Sequence, residues 1–130
     1  GRLDLGGRVR YLGFRTQREL RPLVESADLL VVSSRHEAGA AVLLEAAVAG
    51  VPTVGTAVGH IVEWAPSAAL AVPVANPERL ADAIHTLLGD EDLRLRVARA
   101  AQCRALSEDA DYTARTFEAL YQRLASCSRG

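Results

Sequence analysis

A short, uninterrupted apolar run constrains the fold of this chain more than any other feature. Residues 29–32 are all Leu or Val, with Asp28 before them and Ser33 and Ser34 after them. A run that is apolar on both faces is expected for a strand buried inside a parallel sheet. Parallel strands need long crossover connections, which are usually helical, so helical segments should flank this run.

The rest of the chain supplies that alternation. Residues 8–13, 28–34, 52–56 and 70–73 are predicted as four strands. A capping-box pattern from Thr16 to Glu19 predicts a helix that ends near Ser26. A helix over residues 39–49 should stop at Gly50, and Asn76 should cap the helix after the fourth strand.

Two more helices complete the predicted order, one over residues 90–106 and a terminal one over residues 109–126 with Asp111 as its cap. Strand and helix thus alternate four times, which favours right-handed crossovers and helices on both faces of the sheet. We predict a doubly wound, Rossmann-like α/β domain. In such sheets, ligands bind outside the carboxyl ends of the strands.

The charge balance excludes some partners. The chain of 130 residues has a formal net charge of −1, so neither a nucleic acid nor an anionic membrane is an expected partner. No signal peptide and no transmembrane segment is predicted, and cytoplasm is the default location. A peripheral membrane position of a full-length parent stays open, because a chain that starts at Gly1 is expected to be part of a longer polypeptide. Cys103 and Cys127 are predicted to be free thiols, and no metal site is predicted.

Two carboxylates follow the second predicted strand in an apolar context. Glu37 and Glu45 are separated by seven small or aliphatic residues, and the helix around Glu45 is apolar nearly all round, so we expect it to be largely buried. A buried carboxylate needs polar partners, because burial without them costs several kcal/mol. The plain alternatives are a Glu37 that only favours a helix macrodipole and a Glu45 that is a solvated surface residue.

The start of this helix is suited to an anion. The N–H groups near Gly39, Ala40 and Ala41 lack helical partners and carry partial positive charge, which favours a phosphate or diphosphate. We expect Glu45 roughly 9–12 Å further along the helix axis, at about 1.5 Å per residue, where a carboxylate could accept hydrogen bonds from a ribose diol.

Six segments in this order and spacing are similar to one known family. They are residues 8–13, 27–34, Glu37 with Glu45 and Ala46, 50–54, 59–63, and 80–84 with the Leu120-Tyr121 ending. From Val9 to Leu124 the chain resembles the later part of the C-terminal, donor-binding domain of GT-B fold, retaining glycosyltransferases of family four, the glycosyl transferases group 1. The fold implied is a truncated C-terminal half of a GT-B protein, a partial nucleotide-sugar-binding domain over residues 1–130.

The resemblance implies roles for individual residues. Glu37 looks like the catalytic acid beside the donor sugar and phosphates, and Glu45 like the acid that holds the ribose hydroxyls. Gly39, Ala40 and Ala41 would offer N–H groups to the diphosphate, and Gly59 would make a backbone turn near the phosphates. The implied donor is a UDP-, GDP- or ADP-sugar, with no cofactor and no metal required. The family usually reads Glu-Gly-Phe-Gly where this chain has Glu37-Ala38-Gly39-Ala40.

The resemblance also implies missing parts. The family's domain begins with two further strands, and an N-terminal domain binds the acceptor, whose identity the sequence does not reveal. With strand order 3-2-1-4-5-6, the two absent strands would lie between the strands at residues 8–13 and 28–34. Those two must then pair directly, pair with another chain, or leave exposed edges through which an oligomer could form. We predict that the chain alone is not a competent transferase.

Two other functions stay open at this point. One is a nucleotide-sugar 2-epimerase, an isomerase that shares the GT-B architecture and the nucleotide site. The other is a non-catalytic α/β binding module. Loss of nucleotide affinity on replacing Glu45 would argue against the module.

Overall fold

A computed structural model describes residues 5–39 and 41–127, with side chains described for all of these except residues 110 and 124–127. Its centre is a parallel sheet in the order β1-β2-β3, made of Leu30–Val32, Thr53–Thr56 and Leu70–Val72. Leu30 pairs with Thr53, and Val54 pairs with Leu70. The helices in chain order are α1 Gln17–Glu25, α2 Ala41–Val48, α3 Gly59–Trp64, α4 Pro77–Gly89, α5 Glu91–Ser107 and α6 Ala110–Cys127.

Helix starts follow the local capping signals in the sequence. In α1, the Glu19 carboxylate accepts hydrogen bonds from the backbone N–H of Thr16 (2.9 Å) and from its hydroxyl (2.8 Å). The α4 cap is Asn76, whose side-chain oxygen accepts from the N–H of Arg79 at 3.0 Å. These bonds satisfy backbone N–H groups at the helix start that have no partner within the helix.

The last helix begins slightly earlier than its predicted cap allows. Asp109, and not Asp111, accepts a hydrogen bond from the Tyr112 N–H at 2.8 Å. The prediction of Asp111 as the cap is therefore wrong by two residues. Both carboxylates have the chemistry of a cap, and only the position of the first helical turn selects between them.

The stop of α2 at Gly50 is confirmed. Gly50 has φ +77°, its N–H donates to the Ala47 carbonyl (3.0 Å), and the Val51 N–H donates to the Ala46 carbonyl (2.8 Å). This pair of bonds is the Schellman arrangement, which requires a left-handed residue and therefore favours glycine.

The sheet is covered by helices on both faces, as predicted. Neighbouring positions of β2 point to opposite faces: Val54 packs with Leu87 and Val97, while a side chain at Gly55 would meet Ile61 and Val32. The larger cluster, around α2, α3 and α5, contains the buried side chains of Val32, Leu43, Ala47, Ile61, Trp64 and Ala101. The doubly wound α/β architecture is thus confirmed, with three strands.

The predicted strand over residues 8–13 is wrong. The segment forms no strand, and the side chains of Tyr11 within it and of Phe14 just after it are each 93% exposed. Within the described part of the chain, β1 pairs with β2 alone, and Val31 at its middle is 41% exposed. A segment is a β-strand only where a neighbouring strand hydrogen-bonds to its N–H and C=O groups. The alternation of polar and apolar residues in 8–13 therefore does not make a strand by itself. Direct pairing of the strands predicted at residues 8–13 and 28–34 is therefore wrong, and within the described residues β1 keeps one edge without a neighbouring strand.

None of the helices in residues 5–39 and 41–127 combines the length and the apolar character that a bilayer crossing requires.

Candidate functional site

Two loops meet at the carboxyl edge of the sheet. One follows β1 and covers residues 33–39, and the other connects β2 to α3. The Thr56 hydroxyl, at the end of β2, donates to the Ser34 carbonyl, and the Ser34 hydroxyl donates to Glu37 Oε1 at 2.7 Å. The Glu37 carboxylate is therefore oriented by a short hydrogen-bond chain that begins in the buried strand β2.

Backbone contact between these loops depends on Gly59. Its φ is +49°, and an added Cβ would lie 2.9 Å from the Glu37 carbonyl oxygen and 3.2 Å from the Ala38 carbonyl oxygen. No side chain fits at that separation, which explains a glycine here. Together with His36 and Val58, these residues line an open groove of about 480 Å³. The structure thus brings Glu37 and Gly59 together, as the sequence predicted.

A second close approach between the loops involves a residue that sequence reasoning left out of the site. A Cβ on Gly39 would lie 3.0 Å from Nε2 of His60, and the other ring nitrogen, Nδ1, lies 3.1 Å from Glu63 Oε2. The i, i+3 spacing of His60 and Glu63 on a short helix was a signal for the pair. Nothing in the sequence predicted the contact of His60 with Gly39, because this contact joins two different loops.

The helix that follows the first loop begins two residues later than predicted. α2 starts at Ala41, whose side chain is exposed, and Gly39 just before it is also exposed. Ala40, which was assigned to the same anion site, lies outside the described residues. The first turn of any helix presents N–H groups without helical partners, and Gly39 and Ala41 leave little side-chain bulk at this one.

Glu45 lies on the other side of α2, away from the Glu37 groove. It is half-buried and accepts a hydrogen bond from the Gln17 side-chain amide of α1 at 3.1 Å. The expected burial of the whole helix is wrong, since Leu44 is 38% and Val48 is 52% exposed. Glu45 is thus neither an isolated buried charge nor a fully solvated one.

Glu45 contributes to a groove between α1 and α2. The groove has a volume of about 750 Å³ and is lined by Gln17, Arg18, Arg21, Val24, Glu25, Leu44, Glu45, Val48 and Ala49. Glu37 and Glu45 therefore line different concavities on either side of the start of α2. Since α2 begins at Ala41, four residues separate its start from Glu45, an axial rise of about 6 Å. The expected rise of 9–12 Å was too long.

Two charged side chains of α1 have shifted pKa values. The backbone N–H and then the hydroxyl of Thr16 lower the pKa of Glu19, because they stabilise its carboxylate at the start of α1. The hydrogen bond to Glu25, helped by its charge, raises the pKa of Arg21 above its usual range. Both shifts keep these groups charged at neutral pH.

The far end of α3 is anchored to α5. Arg104 donates to the Glu63 carbonyl at 3.0 Å, and its guanidinium lies 5.3 Å from the centre of the Trp64 ring. Trp64 itself is only 2% exposed. Because Gly59 and His60 form the first turn of this six-residue helix, anchoring its last turn also restrains the loop contacts described above.

The other side chains with possible site chemistry are metal ligands and thiols. In residues 5–39 and 41–127, no three His, Cys, Asp or Glu side chains are grouped so that they could hold a metal ion. Cys103 is an exposed free thiol on α5, and the side chain of Cys127 lies outside the described residues.

Comparison with known proteins identifies the family. The sequence profile of the family described as "Glycosyl transferases group 1" matches residues 2–104. D-inositol 3-phosphate glycosyltransferase of Corynebacterium urealyticum is 32% identical over 124 residues, which are 94% of this chain and 29% of that protein. The lipopolysaccharide core biosynthesis glycosyltransferase LpsE of Rhizobium meliloti is 34% identical over 99 residues, or 74% of this chain and 28% of that protein.

Solved structures give the same result for the fold. Sucrose-phosphate synthase (tll1590) from Thermosynechococcus elongatus superposes with a TM-score of 0.79 at 26% identity, over 95% of this chain and 32% of that chain. Anabaena Alr3699/HepE in complex with UDP-glucose superposes with a TM-score of 0.75 at 27% identity, over 95% of this chain and 34% of that chain.

The chain therefore spans under a third of the length of either glycosyltransferase relative. The resemblance drawn from the six sequence segments is confirmed, as is the truncation of the GT-B fold. By its sequence and its fold alike, this chain belongs to the glycosyl transferases group 1 family.

Proposed function

We propose that this chain is the donor-side part of a retaining glycosyltransferase, which binds a nucleotide-diphosphate sugar and transfers its sugar to an acceptor bound by another part of a longer protein. The observation that carries the proposal is the joint position of the start of α2, the Glu37 carboxylate and Gly59 at the carboxyl edge of β1 and β2. That edge is where doubly wound sheets bind nucleotides. The fold neighbour HepE, which carries UDP-glucose, supports the same ligand class.

The start of α2 would bind the diphosphate. Its first-turn N–H groups, from Ala41 onward and with Gly39 and Ala40 before them, carry partial positive charge and lie among small side chains. When the sugar leaves, negative charge develops on the terminal phosphate. Preorganised N–H donors stabilise that charge more in the transition state than in the ground state, which accelerates the reaction.

Glu37 would lie beside the donor sugar. Its carboxylate is exposed to the groove and is oriented by Ser34, so it can accept hydrogen bonds from sugar hydroxyls. The backbone at Gly59 would close the phosphate side of the same groove. No metal ion is needed in this proposal, because the helix start provides the positive potential.

Glu45 would hold the ribose. It lies just over one turn into α2, and its Oε1 is already hydrogen-bonded to Gln17. A carboxylate has two oxygens and can accept several hydrogen bonds, so a ribose diol can bind beside Gln17. The groove between α1 and α2 would then receive the nucleoside.

The test is the binding of nucleotides to the Glu45→Ala variant. Titration calorimetry with UDP, GDP and ADP identifies the nucleotide that binds most tightly, and its 2′-deoxy analogue is then compared with it. Hydrogen bonds to a charged group contribute about 1.5–3 kcal/mol, so we expect Glu45→Ala to weaken the ribonucleotide by about 10- to 150-fold. The deoxy analogue should lose much less affinity.

Glu25→Ala is the matched control, because Glu25 lines the same groove and already pairs with Arg21 at 2.7 Å. It should leave nucleotide affinity within about twofold, as expected for an exposed ion pair. Equal losses for both variants, or equal losses for the ribo and deoxy forms, would refute the ribose assignment. If none of the three nucleotides binds the unaltered chain, the proposed function itself is refuted for this chain.

A further inference from the structure

His60 occupies an unusual position between the two loops of the site. Its ring lies against Gly39, with Nε2 3.0 Å and Cδ2 3.1 Å from the position of an added Cβ. An alanine at residue 39 would have to displace the ring. Gly39 is therefore the residue that allows an imidazole to lie beside the start of α2, two residues before its first helical residue.

The ring is also oriented by a hydrogen bond. Nδ1 lies 3.1 Å from Oε2 of Glu63, one turn later on α3. The ionised carboxylate can only accept, so the proton of this bond is on Nδ1. Among the hydrogen bonds of the described residues, none involves Nε2. The second nitrogen thus remains available on the side that faces Gly39 and the first loop.

Arg104 restrains the helix that carries His60. It binds the carbonyl of Glu63 from α5 and lies over the neighbouring Trp64 ring, which restrains the last turn of α3. The charged and titratable groups on the elements next to His60 are Glu63 on its own helix, Glu37 and His36 on the loop that Gly59 contacts, and Arg104 on α5. Among these, only the Glu63 carboxylate is seen to bond to the ring.

From this geometry we propose that His60 is a further anion-binding residue of the site, whose Nε2–H donates to a phosphate oxygen of the donor held at the start of α2. The inference rests on the proposed function, since it requires a nucleotide diphosphate in that position. Glu63 is a positioning residue, which acts by holding Nδ1. The bound ring would then donate from both nitrogens, from Nδ1 to Glu63 and from Nε2 to the phosphate.

The test separates the phosphates from the nucleoside. The tightest of UDP, GDP and ADP for the unaltered chain is titrated into His60→Gln, and so is the corresponding nucleoside without phosphate, with NMR used for the weaker ligand. A charge-assisted hydrogen bond predicts a loss of roughly tenfold for the diphosphate and no loss for the nucleoside. Glu63→Gln should also weaken binding of the diphosphate and not of the nucleoside, but by a smaller factor. His85→Gln, an exposed histidine on α4, is the matched control and should change neither affinity.

A spectroscopic measurement supplies an independent result. In ¹⁵N-detected spectra of the histidine rings, assigned with the three single histidine variants, Nε2 of His60 should carry a proton when the diphosphate is bound. Equal losses of affinity for the diphosphate and the nucleoside would show that the ring has only a structural role. An unchanged diphosphate affinity of His60→Gln, or an Nε2 without a proton in the presence of the diphosphate, would also overturn the inference.

Failure of the proposed function gives a different outcome. In that case the unaltered chain binds none of the three diphosphates, whereas failure of the His60 inference alone leaves unaltered binding intact and removes only the effect of the variant.

Discussion

Replacing Gly59 by alanine tests whether the two loops of the site are held together by backbone contact. Two separate costs arise at this position. The residue has φ +49°, which L side chains rarely adopt, and the added Cβ would lie 2.9 Å from the Glu37 carbonyl oxygen and 3.2 Å from that of Ala38. Because these neighbours are backbone atoms, they cannot move aside as the end of a flexible side chain would.

The size of each cost can be worked from the structure. A left-handed conformation costs an L residue about 1–2 kcal/mol. Forcing an extra methyl group against fixed neighbours costs about 1–3 kcal/mol more. We therefore expect Gly59→Ala to reduce the free energy of unfolding by about 2–5 kcal/mol, a large share of the roughly 5–15 kcal/mol of a typical domain.

Two other glycines separate the conformational cost from the steric cost. Gly50 has φ +77°, but its added Cβ would meet only the Gln102 side chain, at 3.7 Å, so Gly50→Ala should cost only the conformational 1–2 kcal/mol or so. Gly89, in α4, has neither a positive φ nor any atom within 4 Å of the added Cβ. Gly89→Ala should be neutral or stabilising by up to about 1 kcal/mol, because alanine restricts the unfolded chain.

Urea unfolding followed by circular dichroism measures all three variants under one two-state treatment. The expected order of stability is Gly89→Ala first, then the unaltered chain, then Gly50→Ala and last Gly59→Ala. A Gly59→Ala variant as stable as Gly50→Ala would refute the close contact of the two loops. A Gly89→Ala variant that loses more than about 1 kcal/mol would show that the comparison does not isolate the local terms.

Further predictions concern the two helices beside the site. Removing Arg104 abolishes its stacking over Trp64 and its bond to the Glu63 carbonyl, so Arg104→Ala should lower the free energy of unfolding by about 1–3 kcal/mol; Arg104→Lys should recover only part of this, and full recovery would contradict the role of the planar guanidinium. Thr16 lowers the pKa of Glu19 in the folded state, so its contribution is present at neutral pH and is lost as the pH falls through the folded-state pKa. Glu19→Gln should therefore lower the melting temperature at pH 7 and have little effect in acid, and an equal effect at both pH values would contradict the assignment.

Helix ends were predictable because their causes are local. Asn76 binds the N–H of Arg79 three residues away. α2 ends through bonds from Gly50 and Val51 to carbonyls three and five positions before them. The apolar run after Asp28 became β1, because a segment that is apolar on both faces has to be buried by other elements. Residue types within a few positions contain enough information for such features.

The site could be predicted only in part. Glu37 and Gly59 were assigned to it through the family pattern, and the structure brings them to one groove. The place of His60 against Gly39 was not predictable, since nothing in either loop specifies which residue of the other it will meet. Glu45 was expected in a buried helix and instead lies in a groove that α1 forms, with Gln17 as its partner.

The sequence by itself determined the helix ends at Thr16, Asn76 and Gly50, the position of β1, and the family to which the chain belongs. Tertiary structure alone decided whether residues 8–13 form a strand, which face of α2 is exposed, and which side chains surround the start of that helix. The physical reason is the range of the interactions involved. Caps and turns are satisfied by hydrogen bonds between near neighbours, whereas strand pairing, burial and the contact of loops depend on partners that are distant in the chain.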